Sequence, residues 1–284
     1  MNLSTVPQGH LSNQGLVELR SRNMRISCLR RAPKLATLHA IASRDQVPSQ
    51  QSKLQHLYQQ AQETFGCGKQ PNSPEDLQAV TQALREIPLH ELAMQAPDDS
   101  TSTPSRGLFG VFHNKKRPPP ITYIHIYEDH IMSIGIFCLP RNAIIPLHNH
   151  PDMVVLSRVL YGHLHVRSYD WASTQHPSHN LSPQGLSMAK LVLDEVVAPT
   201  HAPAVIFPST GGNIHQFTAV TDCAVLDILA PPYSPRGGRD CTYYEANNDD
   251  QEGYVHLVES NPEPALNMQN KSYGGVRIQP AVAA

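Results

Sequence analysis

The decapeptide Ile144-Ile145-Pro146-Leu147-His148-Asn149-His150-Pro151-Asp152-Met153 is the stretch from which the fold prediction starts. Two histidines that are two residues apart point to the same side of an extended segment, because side chains alternate along a strand. Pro151 favours an extended conformation at His150, which suits a strand end. Neutral imidazoles bind first-row metals, so the pair is a candidate metal site. Because an isolated His-x-His often occurs by chance, the chain must also supply a third ligand and a pocket.

Short extended runs separated by turn residues dominate the chain from Ile121 onward. They cover residues 121–127, 131–139, 153–160, 163–171, 190–197, 204–207, 214–220 and 224–229. This pattern predicts an antiparallel sandwich or jelly roll. In the cupin motif of such barrels, a glutamate ligand precedes a glycine by a fixed spacing. Counting back from Gly162 leads to Val155, so we expect no carboxylate ligand there.

A third histidine follows a glycine turn in the second half of the predicted barrel. Gly211-Gly212-Asn213-Ile214-His215 is a turn that leads into a strand near His215. His148, His150 and His215 would form a three-histidine site with open positions, which iron and zinc both accept. A second pair, His163 and His165, is interpreted as solvent-facing, because no further histidine segment completes it.

Length and composition set the domain prediction. With 284 residues, the chain is long enough for one large domain or two small ones. With a net charge of −2, it lacks the basic excess of many nucleic-acid-binding proteins. It has no apolar run long enough to span a bilayer. Its five scattered cysteines favour a reducing compartment. We predict a disordered or targeting extension (1–50), helices and a long loop (52–120), a cupin barrel (121–259) and a polar tail (260–284). Ser73-Pro74-Glu75-Asp76 is typical of a helix start.

Several longer stretches resemble the plant cysteine oxidases, which are relatives of the animal cysteamine dioxygenase. The resemblance covers roughly residues 52–259 and is carried by residues 73–76, 131–171, 211–219, 223–227, 231–234 and 238–244. It implies a mainly β cupin fold (a double-stranded β-helix) and an iron(II) thiol dioxygenase. Such an enzyme uses O2 to oxidise an N-terminal cysteine to the sulfinic acid, an oxygen-sensing step that feeds N-degron proteolysis. His256 departs from the family, in which an aromatic residue such as Trp is expected.

The resemblance also implies roles for residues beyond the histidines. Asp227 lies in an apolar run, where a charge is costly unless it faces a polar site. A three-residue hairpin turn would place it opposite His215, whereas a two-residue turn would place it on the other face. The resemblance favours the three-residue turn, with Asp227 near the iron to position the substrate amine or a water molecule. The alternative is that Asp227 forms an ion pair or caps a backbone segment.

Cys241 and Tyr243 share a face if that segment is extended. In the animal relative, the matching pair can form a thioether crosslink. Tyr233 matches a tyrosine near the family's pocket. We therefore include Tyr233, Cys241 and Tyr243 among the candidate catalytic residues, beside the alternative that they only pack in the core.

The expected partners are proteins or peptides with an N-terminal cysteine, together with O2. We expect a monomer that binds neither nucleic acid nor membrane and is found in the cytoplasm and nucleus. The arginine-rich extension leaves organellar targeting open. Alternative functions are a dioxygenase of a small thiol such as cysteamine, a metal-binding cupin without catalysis, and a zinc or manganese isomerase or hydrolase.

Overall fold

The described part of the chain begins with a helix whose start and buried face match the prediction. The computed structural model describes residues 51–97, 120–172, 187–248, 253–261 and 266–280. Helix α1 covers Lys53–Phe65, and the Ser52 side chain caps it by accepting a hydrogen bond from the Gln55 amide at 3.1 Å. Its buried residues recur at helical spacing. The extension 1–50 and most of the predicted loop from Ala96 to Pro120 lie outside the described residues.

Helix α2 begins later than its sequence signal indicates. It covers Gln78–Arg85, although the Asp76 amide does donate to the Ser73 hydroxyl at 3.3 Å. Residues 74–77 form turns instead, because the Leu77 and Gln78 amides bond to carbonyls three residues back. A 3₁₀ turn, Leu89–Leu92, follows α2. No helix in the described part of the chain is both long and apolar enough to cross a bilayer.

Twelve strands follow in the described part of the chain. They are β1 (Ile121–Glu128), β2 (Ser133–Leu139), β3 (Ile144–His148), β4 (Val154–Tyr161), β5 (Leu164–Trp171), β6 (Ser187–Val197), β7 (Ala204–Ile206), β8 (Ile214–Ala219), β9 (Cys223–Ala230), β10 (Tyr243–Asn248), β11 (Tyr254–Ser260) and β12 (Met268–Lys271). The eight extended runs in the sequence correspond to β1, β2 and β4–β9, so these predictions are confirmed. Strands β10, β11 and β12 were not predicted.

The strands make two six-membered groups. One is a sheet in the order β12-β1-β2-β9-β4-β7, and the other closes as β10-β11-β6-β5-β8-β3, since β10 pairs with β3. The predicted mainly β cupin barrel is therefore confirmed. Gly162 makes the tight turn between β4 and β5 with a φ of 77°, and a Cβ atom there would overlap the carbonyl oxygen of Asp222.

The two helices cover one face of the first sheet. Even-numbered residues of β4 and β9, such as Leu156 and Leu226, share a buried cluster with Leu57 of α1 and Leu84 of α2. Residues of opposite parity, such as Val225, face the interior between the two sheets. His215, one of the three candidate metal ligands, stacks on Phe217 of this interior cluster.

The described residues after Ser260 are mostly exposed, as expected of a polar tail with little to bury, but they are hydrogen-bonded to the rest of the fold. Strand β12 pairs in parallel with β1, the edge that the first sheet would otherwise leave open. Beyond it, the Val276 amide and the Tyr273 hydroxyl donate to the Glu91 carbonyl, at 2.7 and 3.2 Å. Residues 266–280 are polar in sequence, but they dock largely through main-chain hydrogen bonds, which hydropathy does not register.

Candidate metal centre

The structure brings together the three histidines that the sequence singles out. His148 ends β3, His150 follows two residues later, and His215 on β8 is the direct cross-strand partner of His148. One ligand atom from each ring lies within 4.8 Å of the other two. All three residues are buried, with 9%, 4% and 2% of their surface exposed. This spacing suits one metal ion with three imidazole ligands.

Backbone carbonyl groups orient all three rings in the same way. The Nδ1 atom faces the carbonyl of Pro146 at 2.8 Å in His148, that of Asn213 at 3.2 Å in His150, and that of Gly212 at a weaker 3.4 Å in His215. A carbonyl oxygen only accepts, so these contacts favour the tautomer with the proton on Nδ1. The Nε2 lone pair of each ring is then free for a metal.

Burial also keeps the imidazoles in the neutral form that binds metals. Desolvation lowers the pKa of His148 below its usual value and lowers that of His215 well below it. It lowers the pKa of His150 to about 3, and the neighbouring His148 adds to this effect. A protonated ring would have to give up its proton before coordination, so the site is prepared for a cation at neutral pH.

Asn213, which the sequence analysis did not select, fixes the position of His150. Its side-chain oxygen accepts from the His150 amide at 3.0 Å, and its side-chain nitrogen donates to the His150 carbonyl at 3.0 Å. The Asn213 main-chain carbonyl is also the partner of the His150 ring. One residue therefore holds His150 at three points, and at 4% exposure it is itself buried.

Asp170 on β5 in turn holds the turn that carries Asn213. Its carboxylate accepts hydrogen bonds from the amides of Gly211, Gly212 and Asn213, at 2.9, 2.8 and 3.0 Å. The turn leads directly into His215, so one carboxylate supports the approach to two of the three histidines. No local sequence signal links residues more than 40 positions apart, which explains why sequence reasoning missed Asp170.

The predicted hairpin from His215 to Asp227 is wrong. Strand β8 pairs with β3 and β5, whereas β9 pairs with β2 and β4, so the two strands belong to different groups. The Val220 amide donates to the His163 carbonyl at 3.0 Å as the chain crosses between them. The two proposed turn registers therefore do not apply.

Asp227 nevertheless faces the interior, as was expected. It lies two residues after Val225, which shares a buried cluster with Phe217 of β8. Its own exposure is only 6%, and the Ser157 hydroxyl donates to its Oδ1 atom at 2.6 Å. Strand alternation, which does not depend on the strand pairing, put Asp227 on this face.

The environment of Asp227 favours its protonated form. Burial raises the pKa of this carboxyl to about 7, although the hydrogen bond from Ser157 opposes the shift. Its charge also acts on two tyrosines, since it contributes to the raised pKa of Tyr233 and of Tyr123. The Tyr123 ring reaches this region across Gly135, the β2 residue that pairs with Asp227.

The three remaining candidate residues surround the histidines. The Tyr233 ring lies 5.6 Å from that of His150, and the Tyr243 ring lies 5.9 Å from that of His148. Burial raises the pKa of the Cys241 thiol, and the neighbouring Tyr233 and Tyr243 act against this shift. The thiol and the two phenols are therefore neutral at neutral pH and form one polar wall of the site.

Val155 occupies the position where the cupin motif has a glutamate. It is fully buried in an apolar cluster with Met153 and Ile206, against which Tyr233 packs. Within the described residues, the ligand group contains histidines alone. The expected absence of a carboxylate at this position agrees with the packing.

Comparisons with known proteins place the chain in a family. The family model PCO_ADO matches residues 83–276. Plant cysteine oxidase 1 of Arabidopsis thaliana is 38% identical over 248 residues, which is 80% of this chain and 80% of the relative. The chain belongs to the PCO_ADO family of thiol dioxygenases.

Other members of the PCO_ADO family are also similar to this chain. The 2-aminoethanethiol dioxygenase of Mus musculus is 32% identical over 213 residues, covering 68% of this chain and 79% of the relative. Among solved structures, an RmlC-like cupin protein from Desulfovibrio desulfuricans aligns with a TM-score of 0.27 and 20% identity, over 46% of this chain and 97% of that one. The PCO_ADO family and the strand topology, not this distant likeness, establish the fold.

Proposed function

We propose that this protein is an iron(II) thiol dioxygenase that oxidises the N-terminal cysteine of proteins to cysteine sulfinic acid. The observation that carries the proposal is the set of three buried, neutral histidines whose Nδ1 atoms all face backbone carbonyls. A thiol dioxygenase needs a centre that takes a thiolate and O2 together, and three ligands leave open positions for both.

The neutral ligand set supports the choice of iron(II). Three imidazoles add no negative charge, so a divalent ion keeps its full positive charge and favours an anionic thiolate. When bound, iron(II) would supply the redox chemistry that joins O2 to sulfur. In the net reaction, R–SH and O2 give R–SO2H, so both oxygen atoms end on sulfur and no external reductant is needed.

Asp227 is proposed to hold the substrate's α-amino group. A carboxyl with a pKa of about 7 is partly ionised at neutral pH, and its carboxylate would pair with an ammonium ion in a buried site. Ser157 fixes one oxygen of the carboxyl and leaves the other available. Tyr233 is fixed as well, since its hydroxyl donates to the Asn149 carbonyl at 2.8 Å.

The names of the relatives support a thiol substrate that carries an amine, such as an N-terminal cysteine. The relatives at 38% and 36% identity are named plant cysteine oxidases, and those at 32% and 35% are named 2-aminoethanethiol dioxygenases. Both substrates implied by these names carry an amine close to the thiol, which is the pair of groups that Asp227 and the histidines would receive. We further propose a role in oxygen sensing through N-degron proteolysis, in the cytoplasm and nucleus.

The test uses metal-free protein that is reconstituted with iron(II) without oxygen and then given a cysteine-initiated peptide and O2. We expect the peptide to gain about 32 Da, the mass of two oxygen atoms. The same peptide with an acetylated amine should react poorly, because Asp227 then has no ammonium to bind. Oxidation of cysteamine alone would assign the protein to small thiols.

Metal replacement separates this proposal from the other functions. Zinc occupies a three-histidine site but does not change its oxidation state, so zinc-loaded protein should bind the peptide without oxidising it. If the iron-loaded protein oxidises no thiol at all, the dioxygenase proposal fails and a metal-binding role without this chemistry replaces it.

A further inference from the structure

A cavity of about 80 Å³ extends between the two sheets on one side of His215. Its inner part is lined by buried residues, including Phe217, Val225 and Leu164. Its outer part reaches Ala202 and Ala204, which are exposed at the connection between β6 and β7. The cavity therefore extends from solvent to a candidate metal ligand.

The lining of this cavity is mainly aliphatic and aromatic. The ring of Phe217 stacks on that of His215, with centroids 4.6 Å apart and planes inclined by 15°. The polar lining residues are Ser157, Ser168, His201 and His215. Ser157 donates its hydroxyl to Asp227, the His215 Nδ1 atom faces a carbonyl, and the His201 Nδ1 atom accepts from the Ala198 amide at 3.0 Å. Few groups are left that could hold water molecules, and apolar cavities of this kind take up small apolar molecules.

We propose that this cavity is the binding and access site for O2, a proposal that rests on the function proposed above. The cavity has room for several molecules the size of water, and its lining offers few polar partners for the main chain of a peptide. O2 is uncharged, nonpolar and of this size. An apolar lining concentrates it relative to water, whereas a peptide amine would lose its hydration there without gaining a partner.

Most of the groups suited to the thiol substrate lie elsewhere around the histidines, and Asp227 borders the cavity only through its hydrogen bond with Ser157. Asp227, Tyr233, Cys241 and Tyr243 are absent from the lining of the cavity. Two of these, Tyr233 and Tyr243, stand against His150 and His148. The cavity instead reaches the site through His215 and Phe217. The thiol and O2 would therefore reach the site from different sides.

Xenon provides a test that does not require catalysis. Xenon resembles O2 in being small and apolar, and it occupies dry cavities in protein crystals. Crystals of the protein under xenon pressure should show a xenon atom between Phe217 and Val166. Ala204→Trp places a large side chain at the mouth and should reduce that occupancy. Absence of xenon from the cavity of the unmodified protein would overturn the proposal.

Kinetics with the iron-loaded protein provide the second test. Ala204→Trp should lower kcat/KM for O2 several-fold, while KM for the peptide and kcat at saturating O2 stay the same. Ala246→Trp is the matched control, because Ala246 is also an exposed strand alanine but does not line the cavity. If Ala204→Trp does not fold, Val166→Phe narrows the cavity from a half-buried lining position.

The outcomes separate this inference from the function on which it rests. An unchanged kcat/KM for O2 in a folded variant overturns the access route. A raised KM for the peptide overturns it too, because it would make the cavity the path of the thiol. If the unmodified protein oxidises no thiol, the proposed function fails, whereas the xenon result still reports whether the cavity takes up a small apolar molecule.

Discussion

Asp227→Asn should change the pH dependence of stability in the metal-free protein. In the folded state burial raises the pKa of this carboxyl from 3.8 to about 7. The sign follows from proton binding: between these two values the unfolded chain has lost the proton and the native state keeps it. The native state is therefore favoured at low pH, and this contribution is lost as the pH rises towards 7.

The size of the effect follows from the same two pKa values. Each pKa unit corresponds to about 1.4 kcal/mol, so burial of the ionised Asp227 costs about 4 kcal/mol above pH 7. Between pH 5 and pH 8, the unmodified protein should lose about 3 kcal/mol relative to Asp227→Asn. Because Asn can still accept a hydrogen bond from Ser157, the two proteins differ at this position in charge and not in this hydrogen bond.

Urea denaturation of both proteins at several pH values, with a chelator present, measures this difference. The absolute stabilities include other titrating groups, but those are the same in both proteins and cancel in the difference. Ser157→Ala gives a second test, since removal of the donor should raise the pKa of Asp227 further and move the transition to higher pH. A difference between the unmodified protein and Asp227→Asn that is constant from pH 5 to pH 8 would refute the reasoning.

Three further substitutions test the framework around the site. Asn213→Ala removes the two side-chain hydrogen bonds that hold the His150 backbone and should weaken metal binding by about tenfold or more, as measured by competition with a chelator. Equal affinity would contradict the positioning role. Arg158→Met removes two hydrogen bonds to the carbonyls of Leu84 and Ile87, at and just after the end of α2. It should therefore lower the free energy of unfolding by about 1–3 kcal/mol in urea titrations. A change within experimental error would show that these two bonds do not stabilise the fold. Gly162→Ala forces a Cβ against the Asp222 carbonyl at positive φ and should cost more than about 1 kcal/mol on the same assay; a stabilised variant would show that the turn tolerates a side chain.

The metal centre shows how much of the site could be read from the sequence. His148 and His150 share a face because strand side chains alternate, and this rule holds wherever the strand lies in the sheet. His215 was found because a glycine turn leads into its strand, and the apolar Val155 directed the search to a histidine rather than a carboxylate. Each of these signals is local in the chain.

The groups that hold the histidines in place could not be predicted in this way. Asp170 meets the turn at Gly211–Asn213 only because β5 and β8 are neighbours in the barrel. Asn213 meets His150 across a separation of 63 positions. Backbone amides and carbonyls make most of these contacts, and every residue type other than proline offers the same two groups.

The sequence by itself determined which face of each element is buried. Helical spacing places Leu57 on the buried face of α1, and strand alternation places Val225 and Asp227 on one face of β9. Only the tertiary structure decided which strands are neighbours. The hairpin predicted between β8 and β9 failed because strand pairing depends on competition among all the available strand edges, including those of β2, β3, β4 and β5. Hydrogen bonds between distant strands are not encoded by local pattern, so Asp227 faces the barrel interior beside Ser157 instead of lying beside His215 in a hairpin.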